Sequence, residues 1–163
     1  MELYHDSTQR VEHPAIFEQQ RLLDFGKGFY ATTSKEQAQR WASIKSKRES
    51  CKSKALVNVY FADDNLMYET HLKIKRFNEA SEEWLDFILF NRNNDIRHSY
   101  DIVFGPVAND TLYQTLTLFE SGILTKAETI ARLKVHRLFD QVSFHTPEAL
   151  ARLKFLEAYQ ISQ

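Results

Sequence analysis

Six histidines, one cysteine and one short glycine-bearing stretch hold most of the side chains that suggest chemistry in this sequence. His5, His13, His71, His98, His136 and His145 show neither His-x3-His nor His-Glu-x-x-His spacing. A single cysteine cannot complete a zinc set, so no metal site is expected. The sequence holds no Gly-x-x-x-x-Gly-Lys-Ser/Thr loop and no Gly-x-Gly-x-x-Gly run, and Gly26-Lys27-Gly28 alone is too short to cradle a phosphate. Cys51 has cationic neighbours that would lower a thiol pKa, yet a serine-rich loop is a poor place to hold a nucleophile. The five cations between Lys45 and Lys54 read first as a solvated face, with a phosphate contact as the alternative. The stretch from Asp24 to Thr33 is the most informative. Gly26 and Gly28 permit a tight turn and close approach, and Phe29 to Thr33 read as a short strand. A turn with little side-chain bulk beside a tyrosine ring can admit a flat ligand. The competing reading is a tight turn before a core strand.

These residues must be positioned by the elements around them. Leu3, Tyr4 and His5 form an extended start that Ser7 and Thr8 break, and residues 9–23 read as a loop with at most one helical turn. Ser34 to Gln37 form a capping box, and Ala38, Trp41 and Ala42 give the stripe of a helix expected to fray from Lys45 onward. Ala55 to Ala62 is an apolar strand, and Leu66 to Phe77 is expected to hold one or two shorter ones. Ser81 caps a helix bearing Trp84, Leu85, Ile88 and Leu89, which ends at Asn91 to Asn94. Tyr100 to Val107 reads as a buried strand. Asn109 or Asp110 caps the next helix, with Leu112, Leu116 and Phe119 inside and Gly122 as its stop. Thr125 to Glu128 is a second capping box, opening a helix with Ile130, Leu133 and Leu138 on its apolar side. Gln141 to His145 is a strand, and Thr146-Pro147-Glu148 opens a final helix lined by Leu150, Leu153 and Leu156. Six strands and helices that do not alternate regularly favour an α+β fold over a doubly wound sheet.

The chain's 163 residues suffice for one domain with a real core, spanning residues 1–163. Hydrophobic content of 43% and charged content of 26% fit a soluble globular protein, and a net charge of −1 gives no basic field for nucleic acid. The lone cysteine suits a reducing compartment. With no signal-peptide pattern at Met1 and no 18-residue apolar run, a cytoplasmic location without a membrane partner is expected.

A wider set of residues then comes together. Leu3-Tyr4-His5 followed by a serine, the Gly-Phe-Tyr-Ala-Thr strand and the helix through Gln37-Ala38 and Trp41-Ala42 resemble the ADP-ribosyltransferase fold. More closely, the chain resembles a family of bacterial ADP-ribosyltransferase-like domains of poorly defined function. The resemblance rests on Asp24-Phe-Gly-Lys-Gly-Phe-Tyr, Glu83-Trp-Leu-Asp-Phe-Ile, Asn91-Arg92, Tyr100 through Asp110, and Gln141-Val-Ser-Phe-His-Thr. It implies a split, mostly antiparallel β core flanked by helices, with NAD as co-substrate. It assigns His5 to a ribose hydroxyl, Tyr30 to stacking on the nicotinamide, and Gln141 to the ribose as the glycosidic bond breaks. Imidazole can donate or accept at a hydroxyl, an aromatic face fits a flat cationic ring, and cleavage at C1′ creates an oxocarbenium-like centre. The same resemblance extends NAD contacts to Asp6, Gly28, Phe29, Thr32, Arg92 and Asp110.

The implied activity is transfer of ADP-ribose from NAD to a macromolecular acceptor, protein or nucleic acid, in a setting where the chain is the toxin of a bacterial toxin–antitoxin pair with a cognate antitoxin protein. A non-catalytic module binding NAD or a partner, and an NAD glycohydrolase, are the alternatives. Two positions depart from the usual pattern. Asp6 stands where glycine is usual after the histidine, bringing a carboxylate to the nicotinamide end. Gln141 stands for the late acid, and can hold a hydroxyl but cannot act as a base. Asp110 is the first candidate for a helping carboxylate, with a helix-capping role as its alternative. Arg92 either pairs with Asp95 or Asp101 or meets the NAD pyrophosphate, since guanidinium suits phosphate.

Overall fold

The computed structural model describes residues 1–18, 22–49, 53–107, 110–134 and 140–161, without the side chains of 110–112 and 134. Seven strands form two sheets among these residues. The first sheet has the order β1 (Glu2–Ser7), β3 (Leu56–Phe61), β7 (Lys154–Gln160), antiparallel throughout. The second has the order β2 (Phe29–Ala31), β6 (Asp140–Phe144), β5 (Ile102–Pro106), β4 (Ile74–Arg76), in which only the β4–β5 pair is parallel. The fold is therefore α+β, as the sequence implies. The two sheets touch through one bridge, Tyr4 to Thr32, closed by reciprocal backbone hydrogen bonds of 2.8 and 2.9 Å.

Alternation along the strands explains the core. Val57 and Val59 point to one face of the first sheet, where they meet Ala38 and Ala42 of α1 (Lys35–Glu49). Leu3 and Tyr60 point to the other, against Phe29, Ala31, Ile102, Val142 and Phe144 of the second sheet. A further cluster forms where α2 (Glu82–Asn93) brings Trp84, Leu85 and Ile88 onto Val103 and Phe77, with Leu116 of α3 (Asp110–Glu120) and Leu133 of α4 (Lys126–Lys134). Ser81 caps α2 through a 3.2 Å bond from Trp84 N–H, and the Thr125 box closes α4 with Thr125 N–H donating to Glu128 Oε2 at 2.8 Å. Gly122 stops α3 at φ +75°.

The structure differs from expectation in three places. First, α1 continues through Lys45 to Glu49, because Ser46 is fully buried and extends the packed face past the basic run. Second, the Ser34 box is half formed. Ser34 Oγ accepts from Gln37 N–H at 3.3 Å, but the Gln37 side chain does not reach back; its Oε1 is buried without a partner among the described residues. Third, the final helix is a single turn, α5 (Pro147–Leu150), and the chain then enters β7. Leu153 and Leu156 are therefore not on a helix. A free edge on β3 captures the segment in a ladder from Leu56–Gln160 to Phe61–Lys154, and that pairing outweighs its leucine-rich helical spacing. Two further expectations hold: Leu66 to Phe77 contains one strand, β4, after a 3-10 turn at Leu66–Tyr68, and the described part of residues 9–23 is a loop. Cys51, Asn109, His136 and Leu138 lie outside the described residues, and the Asp110 and Leu112 side chains are likewise not described.

Candidate functional site

A cavity of about 1170 Å³ opens beside the β1–β2 bridge, where the two sheets diverge. Its size exceeds the roughly 300–1,000 Å³ of ordinary small-molecule sites. His5, Tyr30 and Gln141 come from β1, β2 and β6 and all line it, as do Asp6, Gly28, Phe29 and Thr32. One wall is a loop clamped to the first sheet. Asn58 is fully buried, and its amide accepts from Val11 N–H at 2.7 Å and donates to Gln9 O at 3.0 Å. The facing wall is α1, which contributes Gln37, Trp41, Lys45 and Arg48.

His5 is oriented by its own neighbour strand. Its Nδ1 lies 2.7 Å from Tyr30 O. A carbonyl only accepts, so Nδ1 carries the proton and Nε2 is left as an acceptor. Its ring packs on Phe29 at 4.3 Å, and burial lowers its pKa below 6.5, keeping the imidazole neutral. The neutral ring can therefore accept a hydroxyl hydrogen at Nε2. Asp6, next along β1, turns toward α1: Lys45 Nζ donates to Asp6 O at 3.2 Å and stands 3.7 Å from Asp6 Oδ2.

Tyr30 offers its ring and not its hydroxyl. The OH donates to Gly26 O at 2.6 Å and accepts from Phe25 N–H at 3.0 Å. Burial first, then the charge of Asp24, raise its pKa well above 10. The phenol is thus neither a ready acid nor a nucleophile.

Gln141 sits opposite Gly105 in the β5–β6 pair and is buried. Its Nε2 donates to Asp24 Oδ2 at 3.5 Å. Asp24 is buried, lines the same cavity, and has Arg92 Nη1 3.8 Å from its Oδ1. Arg92 does not line the cavity. Its guanidinium stacks over Tyr113 at 4.5 Å, and Nη1 has no hydrogen-bond partner among the described residues. Neither carboxylate expected for Arg92 takes it. Asp95 pairs with Lys27 at 2.7 Å, and Asp101 accepts from Lys73 N–H and Thr146 Oγ1. Asp110 begins α3, with its side chain outside the described residues.

The turn before β2 is held from behind. Gly26 has φ +84°, a conformation L side chains rarely adopt, and a Cβ on Gly28 would lie 2.8 Å from the His145 ring and 2.9 Å from Phe144 O. His98 Nε2–H donates to Phe25 O at 2.9 Å, and His145 Nδ1–H to Lys27 O at 2.8 Å. The other nitrogens accept, His98 Nδ1 from Tyr100 N–H at 3.2 Å and His145 Nε2 from Ser143 Oγ at 2.7 Å. Ser143 is fully buried, so this serine–histidine pair is a strut and not a nucleophile with its base. Burial, followed by the neighbouring His98, pushes the His145 pKa down to about 3. A pKa lowered on folding gives stability that is complete above the unfolded value of 6.5 and is lost as pH falls toward about 3. Urea unfolding should therefore register a loss of about 2 kcal/mol from this ring between about pH 6.5 and pH 5. His145→Asn should flatten that slope; an unaltered slope in the variant would remove His145 as its cause.

A family model described as a protein of unknown function, DUF3990, matches residues 1–155. The chain belongs to the DUF3990 family. No curated protein and no solved structure matches it. The site of this DUF3990 chain contains three features that sequence reasoning did not assign. Asp24 was visible only as the first residue of the glycine-bearing stretch. Gln37 read as a helix cap, and nothing in its spacing signals a side chain turned into a cavity. Lys45 and Arg48 read first as a solvated face, with a phosphate contact as the alternative; the buried Ser46 between them shows that this turn packs. Among the described residues no group of histidines, cysteines and acids could hold a metal ion, and no helix is long and apolar enough to cross a membrane.

Proposed function

We propose that the cavity binds NAD and that the protein cleaves the nicotinamide–ribose bond, passing ADP-ribose to a macromolecular acceptor. One observation carries this reading: His5, Tyr30 and Gln141, on three different strands, line one cavity large enough for a dinucleotide. In it, the nicotinamide lies on the Tyr30 ring, whose hydroxyl is already engaged. Neutral His5 accepts from a ribose hydroxyl through Nε2. Gln141 holds the ribose as C1′ gains positive character. Lys45 and Arg48, which line the α1 side, are placed to meet the pyrophosphate, a role that Arg92, behind Asp24, does not fill. The acceptor is a protein or nucleic acid, the setting is that of a cytoplasmic bacterial toxin, and a cognate antitoxin protein is its partner; these parts of the proposal rest on the family resemblance.

The deciding experiment is incubation of the purified chain with labelled NAD, with and without a bacterial lysate. Label on protein or on nucleic acid supports the transferase. Free ADP-ribose alone assigns a glycohydrolase, and binding without turnover assigns a module that keeps the fold. Absence of binding overturns the reading altogether. Tyr30→Ala should weaken NAD binding about fivefold, close to 1 kcal/mol for a lost aromatic stack. Titration calorimetry checks this, and an unchanged Kd would exclude the stacking role.

A further inference from the structure

We propose that Asp24 is the carboxylate of this reaction, receiving the proton that the acceptor loses as it attacks the ribose C1′; the inference rests on the NAD-cleaving reading above. Gln141 is an amide and cannot take a proton. The Tyr30 hydroxyl is engaged on both sides, the Nδ1 of His5 is committed to a carbonyl while its Nε2 is taken by the ribose hydroxyl in the reading above, and His13 is exposed on the loop wall. Among the described residues that line the cavity, the acids are Asp6, Glu12 and Asp24. Each has a cation nearby, Lys45 at 3.7 Å for Asp6, Arg10 at 2.6 Å for Glu12 and Arg92 at 3.8 Å for Asp24, so ion pairing does not choose among them; burial does, and of the three only Asp24 is buried. Asp24 alone of the three is hydrogen-bonded to Gln141.

The carboxylate is also built into place. Gln141 Nε2 approaches Oδ2, and Arg92 approaches Oδ1 from behind, its own guanidinium fixed on the face of Tyr113. An ion pair and an amide on different oxygens set the plane of the group, as a positioned base requires. In the reaction, the bond from C1′ to the nicotinamide nitrogen breaks and its electron pair leaves with nicotinamide, which departs neutral. A lone pair of a neutral O–H or N–H acceptor forms the new bond to C1′. The acceptor proton passes to Asp24 and from there to water. NAD and the acceptor thus give the ADP-ribosylated acceptor, nicotinamide and one proton.

Asp24→Asn keeps the shape and an oxygen for Gln141 but removes the charge. Nicotinamide release by this variant should fall at least tenfold at neutral pH, with the NAD Kd within about twofold. Adding Gln141→Glu to Asp24→Asn returns a carboxylate one hydrogen bond away and should recover at least threefold of the rate. Where Asp24→Asn fails to fold because Arg92 has lost its partner, Asp24→Asn/Arg92→Gln removes both charges and is read in its place. If wild type cleaves NAD and the Asp24 variant is as fast, the Asp24 role is overturned and the NAD reading stands. A fall in affinity matching the fall in rate, or no recovery in the Gln141→Glu combination, overturns the proton-accepting role in the same way. If wild type neither binds nor cleaves NAD, the NAD reading falls and this inference with it.

Discussion

Gln141→Ala is expected to slow nicotinamide release by more than tenfold, equivalent to about 1.4 kcal/mol of barrier. The residue is buried in a middle strand of the second sheet, and its amide meets Asp24 and faces the cavity lined by Tyr30. Truncation removes the group proposed to steady the ribose and frees Asp24 from its amide contact. The fold should survive. One long hydrogen bond at 3.5 Å is lost, worth about 1 kcal/mol or less, and a chain of this size loses about 2–4 °C of melting temperature per kcal/mol. Steady-state nicotinamide release, with melting curves as the folding control, is the measurement. Activity equal to wild type would make Gln141 a strand residue with no part in the chemistry. Gln141→Glu is instructive beside it, because it sets a second carboxylate against Asp24. Two adjacent carboxylates do not both ionise readily, so any gain in rate should grow as pH rises.

Trp84→Ala should cost about 3–5 kcal/mol of stability, the range for emptying a large aromatic site in a core. Trp84 is fully buried in α2, packed in the cluster with Phe25, Phe77 and Leu116, and its Nε1–H donates to Pro106 O at 3.2 Å. Truncation therefore opens a void and leaves a buried carbonyl without its donor. Phe25 belongs both to that cluster and to the turn below Tyr30, so loss of packing there reaches the cavity. Urea unfolding reads the change directly, and a loss below about 1 kcal/mol would overturn the packing account. Activity should fall with the folded fraction, not ahead of it.

Much of this organisation was legible in local sequence. The Ser81 and Thr125 caps, the stop at Gly122 and the apolar stripe of α2 are properties of a few adjacent residues, and each behaves as its chemistry dictates. The C-terminal segment was misread because Leu150, Leu153 and Leu156 carry helical spacing, whereas the partner that fixes the segment, β3, lies about a hundred residues earlier. The site divides along the same line. His5, Tyr30 and Gln141 are implied by the family resemblance, and the cavity collects them. Asp24 was not assigned, because its contacts to Gln141 and Arg92 are long-range and leave no local pattern. Arg92 offered two acids close in sequence, and the structure gives it a third through the turn before β2.

The strand that carries Tyr30 also has a consequence for synthesis on the ribosome. β2 is three residues long, and its ladder partner is β6, in the register Phe29–Phe144 to Ala31–Val142. Two residues of the implied triad, His5 and Tyr30, therefore emerge long before the strand that brings the third. β1 can pair with β3 while translation continues, but β2 has only the bridge at Thr32 and the His5 contacts to Phe29 and Tyr30 until β6 is made. Closing so long a loop is entropically costly and slow, and three residues cannot hold a position alone. The ring on which a flat ligand would lie is thus set only after β6 has left the exit tunnel. A nascent chain with this strand order lacks the assembled cavity: truncated products ending before Gln141 can pair β1 with β3, yet they lack both the partner of β2 and the amide beside Asp24.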